Sequence, residues 1–386
     1  MSKKDALTGY SKKFDSLLNY LDLSYTNREE LIPDTTPFGF FCSYWPEEIS
    51  MAADMHPFRV FPRGRTFSPA HLPTYCCTVA RGCLELGEDL SPGKSKEDIG
   101  FNGFAHSCDT MQCLNQIWLN TVNEKTVTFV PPVYLTAAGA KAYTAADLKR
   151  TAAELGKLRD REIGEDDLRK AIILNNRVRR VVERLEKLRP YYHSGFISSL
   201  VRVAQLAPRG QYVEVMEKNL PDLEEAKDTG SDIQSEKRTN LLISGAMFEN
   251  EDIHNLLEEL GARVVADDSC TGYRHFAGLV DEKANPYEAM ASRYAARPNC
   301  PCRHKNLNER ADYLLGQARE RKAEAVLIIL RKFCEPHAWD SVSLAETFKK
   351  EGIPTLVLEM EAATPGGQER TRLQAFLESL EGGLNL

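Results

Sequence analysis

Two blocks of this sequence alternate short apolar segments with helix-like segments, and this alternation constrains the fold more than any other feature. In the first block an apolar segment runs into a loop with Cys42, and a helix follows that Pro46 and two glutamates open. Proline and acidic residues suit the first turn of a helix, where backbone amides are free and the dipole is positive. We interpret the apolar segments of this block as strands; they are 38–41, 58–61, 74–79, the beginning of 103–120, and 126–133.

The second block repeats the pattern near the C-terminus. Its apolar segments of strand length are separated by helical patterns, and they are 240–248, 262–268, 324–333 and 354–361. Strand, loop and helix in alternation is typical of parallel α/β sheets. Ligands of such sheets usually bind outside the carboxyl ends of the strands, so the loops that follow strands are where we expect a functional site.

A helical insertion separates the two blocks. Residues 144–192 are rich in charged helix formers and split near Gly164, and further helical sequence and a polar linker follow. We interpret the charged run as the solvated faces of helices. Apolar residues at helical spacing from Phe14 to Leu21 predict a helical entry. The predicted organisation is an N-terminal helical segment, a first α/β domain, a helical insertion with its linker and a second α/β domain, with bounds 1–36, 37–143, 144–235 and 236–386.

Composition excludes several classes of protein. Lys and Arg total 49 and Asp and Glu total 56, so the net charge of −7 supplies no positive field for nucleic acid or anionic lipid. No stretch approaches the length of an apolar membrane span. The first residues have lysines but neither the apolar core nor the cleavage site of a signal peptide, so we expect a cytoplasmic protein.

One segment resembles a phosphate-binding loop without meeting its spacing. Gly87 and Gly93 enclose five residues where the Walker A motif has four, and the sequence before them is typical of the end of a helix rather than of a strand. No G-x-G-x-x-G motif is present either. We therefore expect that the chain binds neither ATP nor NAD through such loops.

The ten cysteines need an explanation, because disulfide frameworks belong to small exported domains. Cys83 and Cys113 fall at helical offsets and are interpreted as packing residues, whereas Cys76 is left open. Six others lie in polar contexts at or after strand ends, or in loops, where they could converge on one crevice: Cys42, Cys77, Cys108, Cys270, Cys302 and Cys334.

Three kinds of thiol chemistry are alternatives. Structural zinc is disfavoured because no C-x2-C knuckle is present, although Cys300, Cys302 and His304 form a minimal cluster. A thiol nucleophile, Cys334 near His337, is a second alternative. The third is an iron–sulfur cluster, for which thiolates are suitable ligands. The local ferredoxin motif is absent, so separate loops would have to hold such a cluster between the two α/β units.

Six segments, taken in order, carry a recognisable pattern: FFCSYWPEEISMAADMHPFRV, YCCTVARGCLEL, HSCDTMQCLNQIW, DDSCTGYRHF, RKFCEPHAWD and GGQERTRLQAFLESL. Together they resemble the 2-hydroxyacyl-CoA dehydratase and benzoyl-CoA reductase subunit family, from about Pro37 to the C-terminus. The resemblance implies two flavodoxin-like α/β domains with an oxygen-sensitive [4Fe-4S] cluster near their interface. It also implies that the cysteines matching Cys77, Cys108 and Cys334 hold that cluster.

The resemblance further implies partners and substrates. A separate ATP-hydrolysing activator, itself an iron–sulfur protein, supplies low-potential electrons in this family. The dehydratase and reductase branches act on acyl- or aryl-CoA thioesters and combine two different subunits of the family. A homodimer or a heterodimer with a paralogous subunit is therefore expected.

The chain has more cysteine than the simplest family pattern. The additional Cys42, Cys270 and Cys302 suggest a second cubane, which is similar to the double-cubane cluster proteins of the same superfamily. There, six cysteines hold an [8Fe-9S] cluster whose cubanes share a bridging sulfide. Cys300 is an alternative to Cys302 as a ligand, because one residue separates them.

Our leading hypothesis is an oxygen-sensitive iron–sulfur reductase, a homodimer with a double-cubane cluster, which the activator charges for reduction of a small, hard-to-reduce substrate. The first alternative is the [4Fe-4S] subunit of a heteromeric 2-hydroxyacyl-CoA dehydratase or benzoyl-CoA reductase. The second alternative is an electron carrier without a substrate of its own, which would have no cavity beside its cluster.

Other side chains could assist reduction. Histidine titrates in the useful range for proton donation, and the candidates are His106, His275, His304 and His337. Glu47 is expected to cap its helix or to contact substrate. Cations that could offset thiolate charge are Arg81, Arg274 and Lys332.

Overall fold

Two parallel four-stranded sheets form the framework of the protein in a computed structural model, which describes residues 12–25, 27–62, 71–88, 100–228, 238–303, 305 and 308–382. The strands of the first sheet are β1 (Pro37–Phe40), β2 (His56–Arg59), β3 (Phe101–Ala105) and β4 (Thr126–Phe129). Those of the second sheet are β5 (Thr239–Gly245), β6 (Ala262–Ser269), β7 (Ala325–Arg331) and β8 (Thr355–Met360).

The two sheets have the same topology. The first is ordered β2-β1-β3-β4 and the second β6-β5-β7-β8, and every neighbouring pair is parallel. Relative to its own first strand, each sheet has the order 2-1-3-4, which is the beginning of the flavodoxin-like order. The predicted fold class, two flavodoxin-like α/β units, is confirmed.

Helices connect the strands of both sheets and form the insertion between them in the sequence. In the N-terminal half they are α1 (Asp15–Leu18), α2 (Arg28–Leu31), α3 (Glu47–Ala52), α4 (Thr78–Glu88) and α5 (Asp109–Thr121). The insertion contains α6 (Ala140–Leu158), α7 (Glu165–Leu188), α8 (Ser194–Val203) and α9 (Arg209–Asp228). The C-terminal half contains α10 (Asp252–Glu259), α11 (Tyr273–Phe276), α12 (Pro286–Ala296), α13 (Glu309–Glu320), α14 (Glu335–Lys350) and α15 (Gly367–Glu381).

Most predicted elements are present, with one correction. The insertion divides at Gly164, the residue before α7, and the helical entry consists of short turns that bury Phe14 and Leu17. The strand predicted at 74–79 is wrong, because a turn closed by a hydrogen bond to Pro73 leads directly into α4. Most of the phosphate-loop segment and the interior of the polar linker lie outside the described residues.

The C-terminal half also packs against the first sheet. Val280, Met290 and Tyr294 share one hydrophobic core with Phe38 and Val127. Burying these side chains together supplies the apolar contact that fixes the two units around a common crevice. No helix among the described residues is both long enough and apolar enough to cross a bilayer.

Candidate metal centre

Seven cysteines come together where the carboxyl ends of the two sheets face each other. Three pairs of thiols lie close enough to shift the pKa of one another: Cys77 with Cys334, Cys108 with Cys302, and Cys302 with Cys300. The first two pairs each combine a cysteine of the first block with one of the second. The crevice between the two units is therefore lined with sulfur from both.

Cys42 and Cys270 complete the set. The Cys42 Sγ lies 3.1 Å from the Ser107 Oγ, beside Cys108. The Cys270 thiol lies within the electrostatic range of Cys42 and Cys300, and its pKa is raised, chiefly by burial. The predicted ligands thus form one group, in which both Cys300 and Cys302 take part.

Three of these cysteines sit at the beginnings of helices, and we call Cys77, Cys108 and Cys334 the helix-terminal trio. Cys108 and Cys334 are the residues that precede α5 and α14, and Cys77 directly precedes α4. Backbone amides in the first turn of each helix act to lower the pKa of the preceding thiol, although neither Cys108 nor Cys334 caps its helix with a side-chain hydrogen bond. Free amides and the positive end of the helix dipole stabilise a thiolate at such positions.

The electrostatics of the helix-terminal trio follow from these contacts. The neighbouring Cys334 thiol, together with two backbone amides, lowers the pKa of Cys77 to about 7, although burial opposes ionisation. The neighbouring Cys302 thiol likewise lowers the pKa of Cys108. The Cys77 thiol in turn raises the pKa of Cys334.

The other three predicted ligands, Cys42, Cys270 and Cys302, lie in loops, and we call them the loop trio. Cys42 and Cys270 follow the ends of β1 and β6, and Cys302 lies between α12 and α13. Buried arginines lie near these three cysteines, whereas the helix-terminal trio has the first turns of helices beside it. The Arg59 Nη2 lies 3.6 Å from the Cys270 Sγ, and the pKa of Cys270 is influenced by Arg274 as well.

The donor set suits an iron–sulfur cluster better than a single ion. Among the described residues, no three His, Cys, Asp or Glu side chains group closely enough to hold one metal ion. Each thiolate of a cubane binds a different iron, so its ligands need only surround the cluster. Seven free thiols around one crevice, with unpartnered Nε atoms on buried Arg59, Arg297 and Arg303, fit a large anionic group with soft metals.

The remaining cysteines have other surroundings. Cys83 is fully buried on α4, and burial raises its pKa strongly, so its interpretation as a packing residue is confirmed. The same interpretation of Cys113 is wrong, because this thiol is exposed on the solvent side of α5. Cys76 is half-buried and lies within electrostatic range of Cys113, beside the crevice.

The predicted proton donors are placed unequally. The His337 Nδ1 lies 3.3 Å from the Cys334 Sγ, so this buried ring belongs to the crevice. His106 is half-buried, and its Nε2 lies 2.9 Å from the Asn115 Nδ2. His275 faces away, toward Glu47, and burial lowers its pKa to about 4. His304 lies outside the described residues.

Glu47 forms a buried ion pair rather than a helix cap. It is the first residue of α3, makes no capping hydrogen bond, and pairs with Arg209 while the His275 Nε2 lies 2.7 Å from its carboxylate. Burial alone would raise the pKa of Glu47, but Arg209 and His275 outweigh burial and lower it. Glu47 therefore fastens the loop after β1 to the insertion.

The three predicted cations are all near ligands, with differing partners. Arg274 is fully buried, pairs with Asp268 and lies within electrostatic range of Cys270 and Cys300. Arg81 and Lys332 both pair with Glu361.

Sequence reasoning missed the three buried arginines Arg59, Arg297 and Arg303. A signal was present for each. Arg59 is a charged residue at the end of the buried strand β2, and Arg297 and Arg303 flank the segment with Cys300 and Cys302.

An open crevice of about 560 Å³ borders the cysteines. Cys108 and Cys302 lie at its inner wall, and the exposed Trp339 lies at its mouth. Its other described lining residues are Ser107, Asp109, Val133, Asn299, Pro301, Arg303, Arg310, Glu335, Pro336, Asp340 and Ser343. A small molecule can therefore reach the side of the cysteine group.

Comparisons with known proteins agree with this architecture. The chain is 27% identical to the (R)-phenyllactyl-CoA dehydratase beta subunit of Clostridium sporogenes, over 87% of this chain and 90% of the relative. It is 24% identical to the beta subunit of the lactoyl-CoA dehydratase of Anaerotignum propionicum, over 89% and 91%. It is 25% identical to one of the subunits of the benzoyl-CoA reductase of Thauera aromatica, over 94% and 96%. The profile of the 2-hydroxyglutaryl-CoA dehydratase, D-component, matches residues 42–380, and the chain therefore belongs to that family.

Proposed function

We propose that this chain is an iron–sulfur reductase that holds a double-cubane [8Fe-9S] cluster and reduces a small, hard-to-reduce substrate. One observation carries the proposal: the loop trio lies beside the helix-terminal trio, so twice the three thiols of a [4Fe-4S] site are grouped where the two units meet. Thiolates that surround a common space are the expected ligands of a larger cluster.

The helix-terminal trio and the loop trio would each hold one cubane, with Cys300 available beside Cys302. When bound, such a cluster supplies low-potential electrons one at a time. We propose that a separate ATP-hydrolysing activator protein charges it, as the resemblance to the dehydratase and reductase family implies. The expected assembly is a homodimer.

The residues of the crevice would admit substrate and supply protons. The crevice reaches Cys108 and Cys302 from solvent, and Asp109 and Glu335 line it. His337 contacts the Cys334 sulfur on the buried side of the same site. An open cavity beside the cysteines favours an enzyme over an electron carrier without substrate, which would need no such space.

The names of the relatives favour a second candidate function, the [4Fe-4S] subunit of a heteromeric 2-hydroxyacyl-CoA dehydratase or benzoyl-CoA reductase. In that case the helix-terminal trio alone would hold the cluster. A paralogous subunit would then form a heterodimer with this chain, and the substrate would be a CoA thioester.

Anaerobic purification followed by iron and sulfide quantification separates the two candidates. The proposal predicts about eight irons per chain, and Cys42→Ala should reduce this number by about half. Cys113→Ala, which removes an exposed thiol outside the site, is the matched control and should leave it unchanged. About four irons, unaffected by Cys42→Ala, would reject the double cubane in favour of the dehydratase subunit.

A second measurement tests activation. Addition of a competent activator with ATP should produce the spectroscopic signal of a reduced cluster in the wild-type protein. Absence of that signal would contradict electron supply by an activator.

A further inference from the structure

Buried arginines of this protein are generally paired with carboxylates. Removing a guanidinium from water is costly unless a counter-charge accompanies it, and the fold supplies one in most cases. The buried pairs are Arg179–Glu48, Arg189–Glu186, Arg209–Glu47, Arg263–Glu258, Arg274–Asp268, Arg310–Asp268 and Arg331–Glu249.

Arg59, on β2, departs from this pattern. It is 2% exposed, and its guanidinium lies over the ring of Phe40. Its remaining contacts are with the carbonyl oxygen of Cys270 at 3.5 Å and the Sγ of the same residue at 3.6 Å, and its Nε has no hydrogen-bond partner. No carboxylate of the described residues forms an ion pair with it.

Arg297 depends on neutral groups as well. It is 2% exposed and donates to the carbonyl oxygens of Ser43 at 3.0 Å and Arg274 at 2.9 Å. Its guanidinium lies over the ring of Tyr44, and its Nε is unpartnered. Through Ser43 it holds the loop of Cys42.

Arg303 is the third of these residues. It is 3% exposed and donates to the carbonyl oxygens of Cys302 at 2.7 Å and His106 at 2.6 Å, again with an unpartnered Nε. Within the described part of the chain, neither Arg297 nor Arg303 pairs with a carboxylate. Arg293 also donates only to carbonyl oxygens, but its charge lowers the pKa of Glu48, so a carboxylate lies within its field.

Each of the three arginines thus touches one loop of the loop trio. Arg59 contacts the loop of Cys270, Arg297 that of Cys42, and Arg303 that of Cys302. By contrast, Arg331, whose charge lowers the pKa of the helix-terminal Cys77, is already compensated by Glu249 at 3.0 Å. The uncompensated positive charge is concentrated on one half of the site.

From this distribution we infer that Arg59, Arg297 and Arg303 are positioning residues that provide the counter-charge for an anionic iron–sulfur cubane held by the loop trio. The inference rests on the proposed function and assigns the second cubane its own electrostatic partners. Thiolates and sulfide make such a cubane negatively charged. It would therefore supply the counter-charge that the carboxylates of the described residues do not provide to these three guanidinium groups.

This role has two measurable consequences. A nearby cation stabilises the more negative, reduced state of a cluster, so removal of Arg59 should shift the midpoint potential to more negative values. In the protein without metal, Arg59 is a buried charge without a counter-charge, so its removal should not reduce stability. A residue that only fills space would lower stability equally with and without the cluster.

The test compares Arg59→Met, Arg59→Lys and wild type as full-length protein, purified without oxygen. We expect a more negative midpoint potential in Arg59→Met and a near-wild-type value in Arg59→Lys, from a redox titration followed spectroscopically. The increase in melting temperature on cluster loading should also be smaller in Arg59→Met. Arg184→Met, which removes a half-exposed arginine of the insertion, is the control and should change neither quantity.

An unchanged potential in Arg59→Met would overturn the inference, as would an equal loss of melting temperature with and without cluster. If Arg59→Met does not fold, Arg303→Met in the same titration decides between the outcomes. The iron content of the wild type separates this test from the proposed function. About four irons per chain would refute the double cubane itself, whereas about eight with an unshifted variant would refute only the role of the arginines.

Discussion

The helix-terminal trio and the loop trio present the same chemical group to the same crevice but obtain positive potential from different sources. Cys77, Cys108 and Cys334 lie at the beginnings of three helices, where nearby backbone amides favour their thiolates. The loop trio has guanidinium groups, which reach it from β2 and from the segment around Cys300. A helix terminus offers about half a charge without desolvating an ion, whereas a buried arginine offers a full charge at a desolvation cost.

This difference predicts which half of the site would depend more on the proposed cluster. The helix-terminal trio is satisfied by local backbone and by arginines with carboxylate partners. The loop trio is contacted by Arg59, Arg297 and Arg303, which form no ion pair with a carboxylate of the described residues. We therefore expect removal of metal to destabilise the surroundings of the loop trio most.

The largest expected effect concerns Arg331, which has a carboxylate partner and influences the helix-terminal trio. Arg331→Met leaves the buried Glu249 without its partner at 3.0 Å, and burial already raises the pKa of this carboxyl. We expect the free energy of unfolding of the metal-free protein to fall by about 3 kcal/mol, because the isolated carboxyl must stay buried or take up a proton. Urea denaturation of Arg331→Met and Arg59→Met side by side measures the contrast. Equal losses in the two variants would erase the distinction between the two halves.

Lowering the pH should destabilise the region that supports the loop trio, because two buried histidines lie there. The helix dipoles beside the helix-terminal trio contain no titrating group. His275 and His56 are buried, and desolvation lowers their pKa values to about 4 and about 3. Glu47 and Arg209 face His56, and Glu47, Arg59 and Arg297 face His275. Both histidines have higher pKa values in the unfolded chain, about 6.5, so the unfolded state gains protons first as the pH falls.

Stability should therefore decrease from about pH 6.5 downward until the folded-state pKa values are passed, by on the order of 3 kcal/mol for each ring. His56→Gln keeps a donor for the Leu206 carbonyl, which lies 2.7 Å from the His56 Nε2, and removes one titrating group. The free energy of unfolding, measured from about pH 7 to about pH 4, should fall less steeply with decreasing pH in this variant than in wild type. A slope identical to that of wild type would contradict the assignment of a neutral, buried His56.

The smallest expected effect sharpens the distinction between ligands and other cysteines. Cys83→Ala should reduce the free energy of unfolding by about 1 kcal/mol, because it leaves a small cavity in the core. Cys113→Ala, on an exposed helix face, should change it by less than about 0.5 kcal/mol. Iron content should be unchanged in both variants. Loss of iron in Cys83→Ala would show that this thiol takes part in the metal centre.

Much of this architecture could be predicted because the relevant signals are local. From the apolar segments, the first residue of each strand in the two sheets could be predicted to within about two residues. The position of Cys42, Cys108, Cys270 and Cys334 after strands predicted that they would meet, since the carboxyl ends of parallel strands share an edge. The two errors, the strand at 74–79 and the packing of Cys113, concern segments whose periodicity fits more than one structure.

Contacts between residues that are far apart in the sequence could not be predicted from such local signals. Arg59 contacts a cysteine 211 positions away, and Arg303 contacts the carbonyl of a residue 197 positions away. Nothing in the local sequence distinguishes a compensated Arg331 from an uncompensated Arg59, because each lies at the end of a buried strand. Only the approach of the two units reveals which guanidinium has a carboxylate beside it.

The sequence by itself determined the two parallel sheets and the cysteine loops at their carboxyl ends, because periodicity and strand-end position act over a few residues. The tertiary structure decided how those thiols divide into two electrostatic environments. The physical reason is that the charge around a thiol depends on every group within a few ångströms, and folding brings those groups from opposite ends of the chain.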